Sequence, residues 1–492
     1  MRCKPRDGGR AGVLPLRRDA GGEALTHGLS RVKNCGAVIG YYMRVKPSIV
    51  GAAHAGLLVC LSLQPSWAGA PYGLPSRVAT TPYFNMPQTA DGALPATLSQ
   101  TGLYENTASL KMRAGLIPYE LVVPFWSDGA QKTRHVSVPG KVAFAPTGEW
   151  KFPAGSLFVK TFDLAVDAAH PAQRRRLETR ILVRDRNGGV YGADYKWRAD
   201  LSDADLLPGS QTEEIKIRDA QGMEHTQTWY YPSREDCQTC HTARAGGVLG
   251  LKTRQMNHSM RYPDGVEDNE LRAWNHAGLF EPRVDEAAIA GFARLAPADD
   301  AGRSLEDRAR SYLDANCSHC HQPGGTVANF DARYDTPLAQ QNLIDGDVLI
   351  DQGIDRPRII APHDVSRSIA YMRASTNEDI RMPPLARETV DTHGVALLAE
   401  WIRSLPGRDV LEPPQISPMG GTFAVESVKV TLSEAVPGAD IHFTLDGSAP
   451  TQKDPKFEGP ITLTGPTVLR ARAYKGGYTR SIAVQQTFLV GK

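Results

Sequence analysis

Two stretches of this 492-residue chain combine residue types and spacings that can do chemistry. They are Cys237-Gln238-Thr239-Cys240-His241 and Cys317-Ser318-His319-Cys320-His321, each a C-x-x-C-H motif. Two thiols three residues apart on one helical turn can bond the two vinyl groups of one porphyrin. The imidazole that follows then faces the iron, which is the attachment chemistry of a c-type haem. C-x-x-C also serves zinc ribbons and redox dithiols, but neither needs a His directly after the second Cys. The motifs therefore predict two covalently bound haem c groups, attached through Cys237, Cys240, Cys317 and Cys320, with His241 and His321 as proximal iron ligands.

Cysteine usage supports this. From Met43 the chain runs through Arg44 and Lys46, a short apolar stretch from Ile49 to Leu63, and Ala68-Gly69-Ala70. That is the order of a secretory signal peptide cut after Ala70, with Met43 as the expected true start and residues 1–70 as leader. The apolar stretch is too short and too interrupted to span a bilayer. Cys3, Cys35 and Cys60 all precede the cut, so the four cysteines that remain are those of the two motifs. A periplasmic or secreted location is expected, with no transmembrane span in the mature chain. Lys plus Arg at 56 against Asp plus Glu at 54 leaves little net charge, and no nucleic-acid partner is indicated.

The elements that must hold these motifs can be read in chain order. Residues 71–230 show short apolar or alternating runs, such as 157–162, 177–183 and 190–197, punctuated by Gly and Pro. They predict a β-rich N-terminal domain, sandwich or barrel-like. Trp229, Tyr230 and Tyr231 just before the first motif are expected to cover a porphyrin, Ser127-Asp128-Gly129 to form a tight turn, and the Arg174–Arg176 run to be a solvated face. Residues 231–296 form the first haem segment. Its sixth ligand must follow His241, and Met256, His258, Met260 and His276 are the candidates; His276 closes an amphipathic helix over 269–276 with Leu271 and Trp274. In residues 297–406, Ser304 caps a helix over 305–315 leading into Cys317. A turn at Pro323-Gly324 offers a carbonyl to the His321 imidazole, and Met382 precedes Pro383-Pro384 and a last helix over 390–404. Helix, C-x-x-C-H, loops, Met and helix is the order of a class I cytochrome c domain, with Met382 as distal ligand of the second haem. After a Pro- and Gly-rich linker at 407–414, residues 415–492 alternate in short strands, predicting a small sandwich. The fold class expected is multidomain: a β-rich N-terminal domain, a mainly α cytochrome c-type haem region and a C-terminal immunoglobulin-like β-sandwich.

Two resemblances follow from specific runs. Residues 102–405 resemble an uncharacterised family of bacterial secreted dihaem c-type cytochromes. The resemblance is carried by Pro124-Phe125-Trp126-Ser127-Asp128-Gly129-Ala130, Phe152-Pro153-Ala154-Gly155-Ser156, Glu178-Thr179-Arg180, Pro232-Ser233-Arg234, Asn275-His276-Ala277-Gly278-Leu279-Phe280 and Met382-Pro383-Pro384-Leu385. It implies His276, rather than Met256 or Met260, as the distal ligand of the first haem. Separately, the run from Phe443 to Thr451 with Leu469 to Tyr474 is similar to the C-terminal module of chitobiase and β-hexosaminidase. No hexosaminidase catalytic domain accompanies it, so no glycosidase activity is implied.

The function these features predict is electron transfer, with unidentified redox donor and acceptor proteins as the partners. Thioether sulfur favours reduced iron more than imidazole does, so the His321/Met382 haem is expected at higher potential than the His241/His276 haem. A dihaem peroxidase-like oxidoreductase is the main alternative. A module that binds carbohydrate or a partner protein, with the haems reporting on it, is a third.

Overall fold

A computed structural model describes residues 69–77, 84–326 and 329–491. The chain separates into one unit over Met1–Leu63 and another over Gln64–Lys492, and every described element belongs to the second. The leader expected over 1–70 lies almost wholly outside the described residues.

Six strands form an antiparallel meander whose spatial order follows the chain: β1 (Ile117–Pro118), β2 (Gln131–Ser137), β3 (Leu157–Ala165), β4 (Arg174–Arg184), β5 (Val190–Trp197) and β6 (Ala204–Leu206). Side chains alternate across a strand, so the two faces differ. On one face Leu157, Val159, Ile181, Val183, Tyr191, Ala193 and Tyr195 pack with Leu98, Leu103 and Tyr104. On the other, Val136 and Phe158 join a core with Trp150, Phe152, Trp274 and Phe280. That face also carries ionisable residues, and it is the one the first C-x-x-C-H motif covers. A hairpin, β7 (Gln211–Arg218) with β8 (Glu224–Tyr231), completes the β-rich part.

The small helical region runs from 234 to 404. Its longer helices are α1 (Arg234–Cys240), α2 (Glu270–His276), α3 (Leu305–Asn316), α4 (Ile369–Ala374) and α5 (Thr392–Ser404). Each of α1, α2, α3 and α5 begins at a side chain that accepts an otherwise orphan N–H: Ser233, Asn269, Ser304 and Asp391. The last helix therefore starts at Thr392 instead of 390. α3 and α5 bury Ala309, Leu313, Leu397, Leu398, Trp401 and Ile402 against one another. Gly394 permits their approach, because a Cβ there would stand 2.1 Å from the Tyr312 ring.

Beyond the linker, a three-stranded and a four-stranded sheet face each other as a β-sandwich-like pair around Val430, Leu432, Leu469 and Phe488. Among the described residues no helix is long and apolar enough to cross a membrane.

Candidate functional site

The first motif is laid onto the sheet by its helix. Ser233 and Asp236 form a reciprocal capping box at the start of α1, and Gln238 Nε2 donates to the Val190 carbonyl of β5 at 2.7 Å. Cys237 then lies against Gly192 so closely that a Cβ at that position would sit 2.3 Å from its sulfur. His241 follows the last turn. Its Nδ1 lies 2.8 Å from the Gly247 carbonyl, which assigns the proton to Nδ1 and leaves the Nε2 lone pair free. Burial pulls the His241 pKa down to about 3, so the ring is neutral, the form that can ligate a metal.

These residues open onto a cavity of about 170 Å³. Tyr119, Leu121, Phe125, Phe158, Phe162 and Leu251 supply apolar walls. Across its floor, strand register aligns one row of ionisable residues: Arg134 pairs with Lys160, Lys160 with Arg180, and Arg180 with Asp194. Like charges directly opposite on neighbouring strands are destabilising. Arg180 is compensated by Glu178, but Lys160 has no ion-pair or hydrogen-bond partner among the described residues, and the buried Arg134 Nε has none either. Burial lowers Lys160 to about 8, which leaves it charged at neutral pH. Asp194 is raised well above the carboxylate range by burial and by Glu178, and so supplies little counter-charge. A basic floor under aromatic walls suits an apolar ligand that carries negative charge at one edge.

The second motif leaves the end of α3. Ser318 Oγ donates to the Asp314 carbonyl at 2.6 Å, and the His321 N–H donates to the Cys317 carbonyl at 2.8 Å. The His321 ring stacks on Phe330 with centroids 4.4 Å apart, and burial lowers its pKa to about 4. The carbonyl expected from Pro323-Gly324 is not used: His321 Nδ1 has no partner among the described residues, because that turn folds back through Thr326 N–H onto the Cys320 carbonyl. Met382 lies in the segment that Arg373 ties down. The Arg373 carbonyl accepts from the Met382 N–H at 2.8 Å, while its guanidinium bonds the Ile380 carbonyl and disfavours a charge on His321.

The two motifs meet. The Cys240 thiol interacts with the Cys320 thiol, and Cys320 also with His319. Ala315, His319, Leu385 and Ala386, all from the second segment, line the cavity of the first. The Ser127-Asp128-Gly129 turn is present and does more than reverse the chain. Asp128 accepts from the Glu388 and Thr389 N–H groups at 2.8–3.1 Å, and Trp126 N–H donates to Asn316 Oδ1 at 2.8 Å.

Other sequence candidates lie elsewhere. His276 stacks on Tyr72, with centroids 3.6 Å apart, and its Nε2 is 3.2 Å from Ser76 Oγ. Met256 is fully buried in the Trp150 and Trp274 core, and Met260 packs with Tyr262 and Ala273. None of the three lines the cavity. Trp229 and Tyr231 fill a separate core with Phe162 and Leu177 instead of covering a porphyrin, and the Tyr230 hydroxyl bonds Asp236. Sequence reading passed over the Arg134, Lys160 and Arg180 row. The period-two spacing of Lys132 and Arg134 in one strand, and of Lys160 between Phe158 and Phe162 in the next, was its available signal. Among the described residues, no three His, Cys, Asp or Glu side chains converge as ligands to a bare ion.

Residues 418–486 match the chitobiase/beta-hexosaminidase C-terminal domain family. No curated protein and no solved structure matches the chain.

Proposed function

We propose that this chain is a dihaem c-type cytochrome that carries electrons in the periplasm or outside the cell. The observation that supports it most is the meeting of two C-x-x-C-H motifs eighty residues apart in sequence, beside one aromatic-walled cavity with a cationic floor. Haem c at each motif would supply one-electron redox chemistry. The residues of the chain divide the remaining work. Cys237, Cys240, Cys317 and Cys320 anchor the porphyrins, His241 and His321 offer neutral imidazoles, and Arg134 with Lys160 takes the propionates. Met382 completes the second site, and the aromatic walls exclude water from the first. The 415–491 sandwich is an accessory module, with carbohydrate or a protein surface as its proposed contact.

Intact mass of the exported protein, with the visible spectrum of its reduced form, tests the reading. Two covalently added haems per chain are expected, and an unmodified mass with four free thiols would overturn it. In a redox titration, Met382→Ala is expected to change the higher-potential haem. A change in the lower one would reverse the assignment.

A further inference from the structure

We propose that His319, the residue between the two cysteines of the second motif, is the distal iron ligand of the first haem. This rests on reading both motifs as haem-attachment sites. Among the described residues, two imidazoles line the cavity beside Cys237 and Cys240, those of His241 and His319. The cavity's other side chains able to ligate include Tyr119, Asp236, Lys132 and Lys160, and Asp236 is engaged in the capping box of α1. The Lys132 ammonium donates to the Phe125 carbonyl, and Lys160 belongs to the cationic floor.

The candidates that sequence order suggested have other engagements. His276 is held by Tyr72 and Ser76, Met256 and Met260 sit in packed cores, and His258 is paired with Glu270 at 3.2 Å. His319 is held in place as a ligand must be. Ser318 is turned inward by its bond to the Asp314 carbonyl, and its successor projects away toward the cavity. There Phe125 meets the His319 ring edge-on at 5.7 Å. The Phe125 segment is itself fastened to the end of α3 through Trp126 and Asn316.

The arrangement has a consequence for electron flow. His319 and Cys320 are covalent neighbours, so a single peptide unit links the ligand of one haem to the thioether of the other. The motif that attaches the second haem thereby closes the sixth position of the first. This favours a carrier over a peroxidase, which would keep that position open.

The test compares wild type, His319→Ala, His319→Met and His276→Ala by haem count and by the reduced spectrum before and after carbon monoxide. Wild type should carry two haems and bind no carbon monoxide. His319→Ala should keep two haems, with about half of them becoming reactive to carbon monoxide, and added imidazole should reverse this. His319→Met should stay closed to carbon monoxide, with the potential of one haem shifted upward because thioether replaces imidazole. His276→Ala should match wild type. The proposal is overturned if His276→Ala is the variant that opens a haem, or if both His319 variants retain the wild-type spectrum and potentials. Absence of haem from wild type would instead remove the cytochrome reading itself, and the mass measurement separates that case.

Discussion

At Gly192 the sheet and the first motif approach so closely that a side chain there would occupy the place of the Cys237 sulfur. Gly192→Ala is expected to displace the thiol and cut covalent haem from two per chain to one, read by intact mass, while the second motif stays loaded. Lys160 acts by charge. With a haem bound at the first motif as proposed, removing a buried cation beside it would favour the more positive, oxidised state, so Lys160→Gln should lower the potential of that haem. The expected size is on the order of one tenfold change in the redox equilibrium, ~59 mV for one electron. The other haem should be unchanged in the same titration. At this scale the clustering of Cys237, Cys240 and His241, and of Cys317, Cys320 and His321, was legible, because C-x-x-C-H is a local pattern. Lys160 was not, because an alternating charged residue in a strand ordinarily faces water.

Among the elements, α3 has to be held against the first segment for the motifs to meet. Asp314, fully buried on α3, receives Arg254 Nη2 at 2.8 Å, Lys252 Nζ at 3.1 Å and the Tyr334 N–H at 3.0 Å. Burial alone would raise its pKa, but the two cations and these bonds win and hold the carboxyl well below its usual range. Its contribution is thus complete above the unfolded carboxylate pKa of ~3.9 and is lost as pH falls below that. Asp314→Asn leaves two buried cations with one partner fewer and should cost about 3–5 kcal/mol in denaturant unfolding at pH 7. The difference from wild type should shrink on acidification below pH ~4. The α3 helix with its Ser304 cap, and the helices that end at His276 and Ser404, could be read from sequence to within one or two residues, whereas the Ser233, Asn269 and Asp391 caps were found only in the structure. The cationic floor could not: it exists only because the register sets Arg134, Lys160 and Arg180 side by side, and register depends on pairing across distant turns.

Across the whole molecule, the C-terminal sandwich is joined to the helical region by a polar seam. Asp355 accepts Arg480 Nη2 at 2.7 Å and lies 3.8 Å from both Arg367 and Arg472, while Arg367 also reaches the Ser481 carbonyl. Asp355→Ala is expected to loosen this module, seen as faster proteolytic cleavage at residues 407–414, with haem content and potentials unchanged. Such a result would mark the module as a separable accessory. The two C-x-x-C-H motifs, the Ser304 cap, the β-rich character of both ends and the C-terminal module could be read from the sequence, because each is written within a few neighbouring residues or a short repeat of polarity. Only the tertiary structure decided that the motifs touch, that three cations share a cavity floor and that His319 faces the first site while His276 faces Tyr72. Those facts depend on which distant surfaces pack together, and burial of the whole chain selects that packing in a way local spacing does not encode.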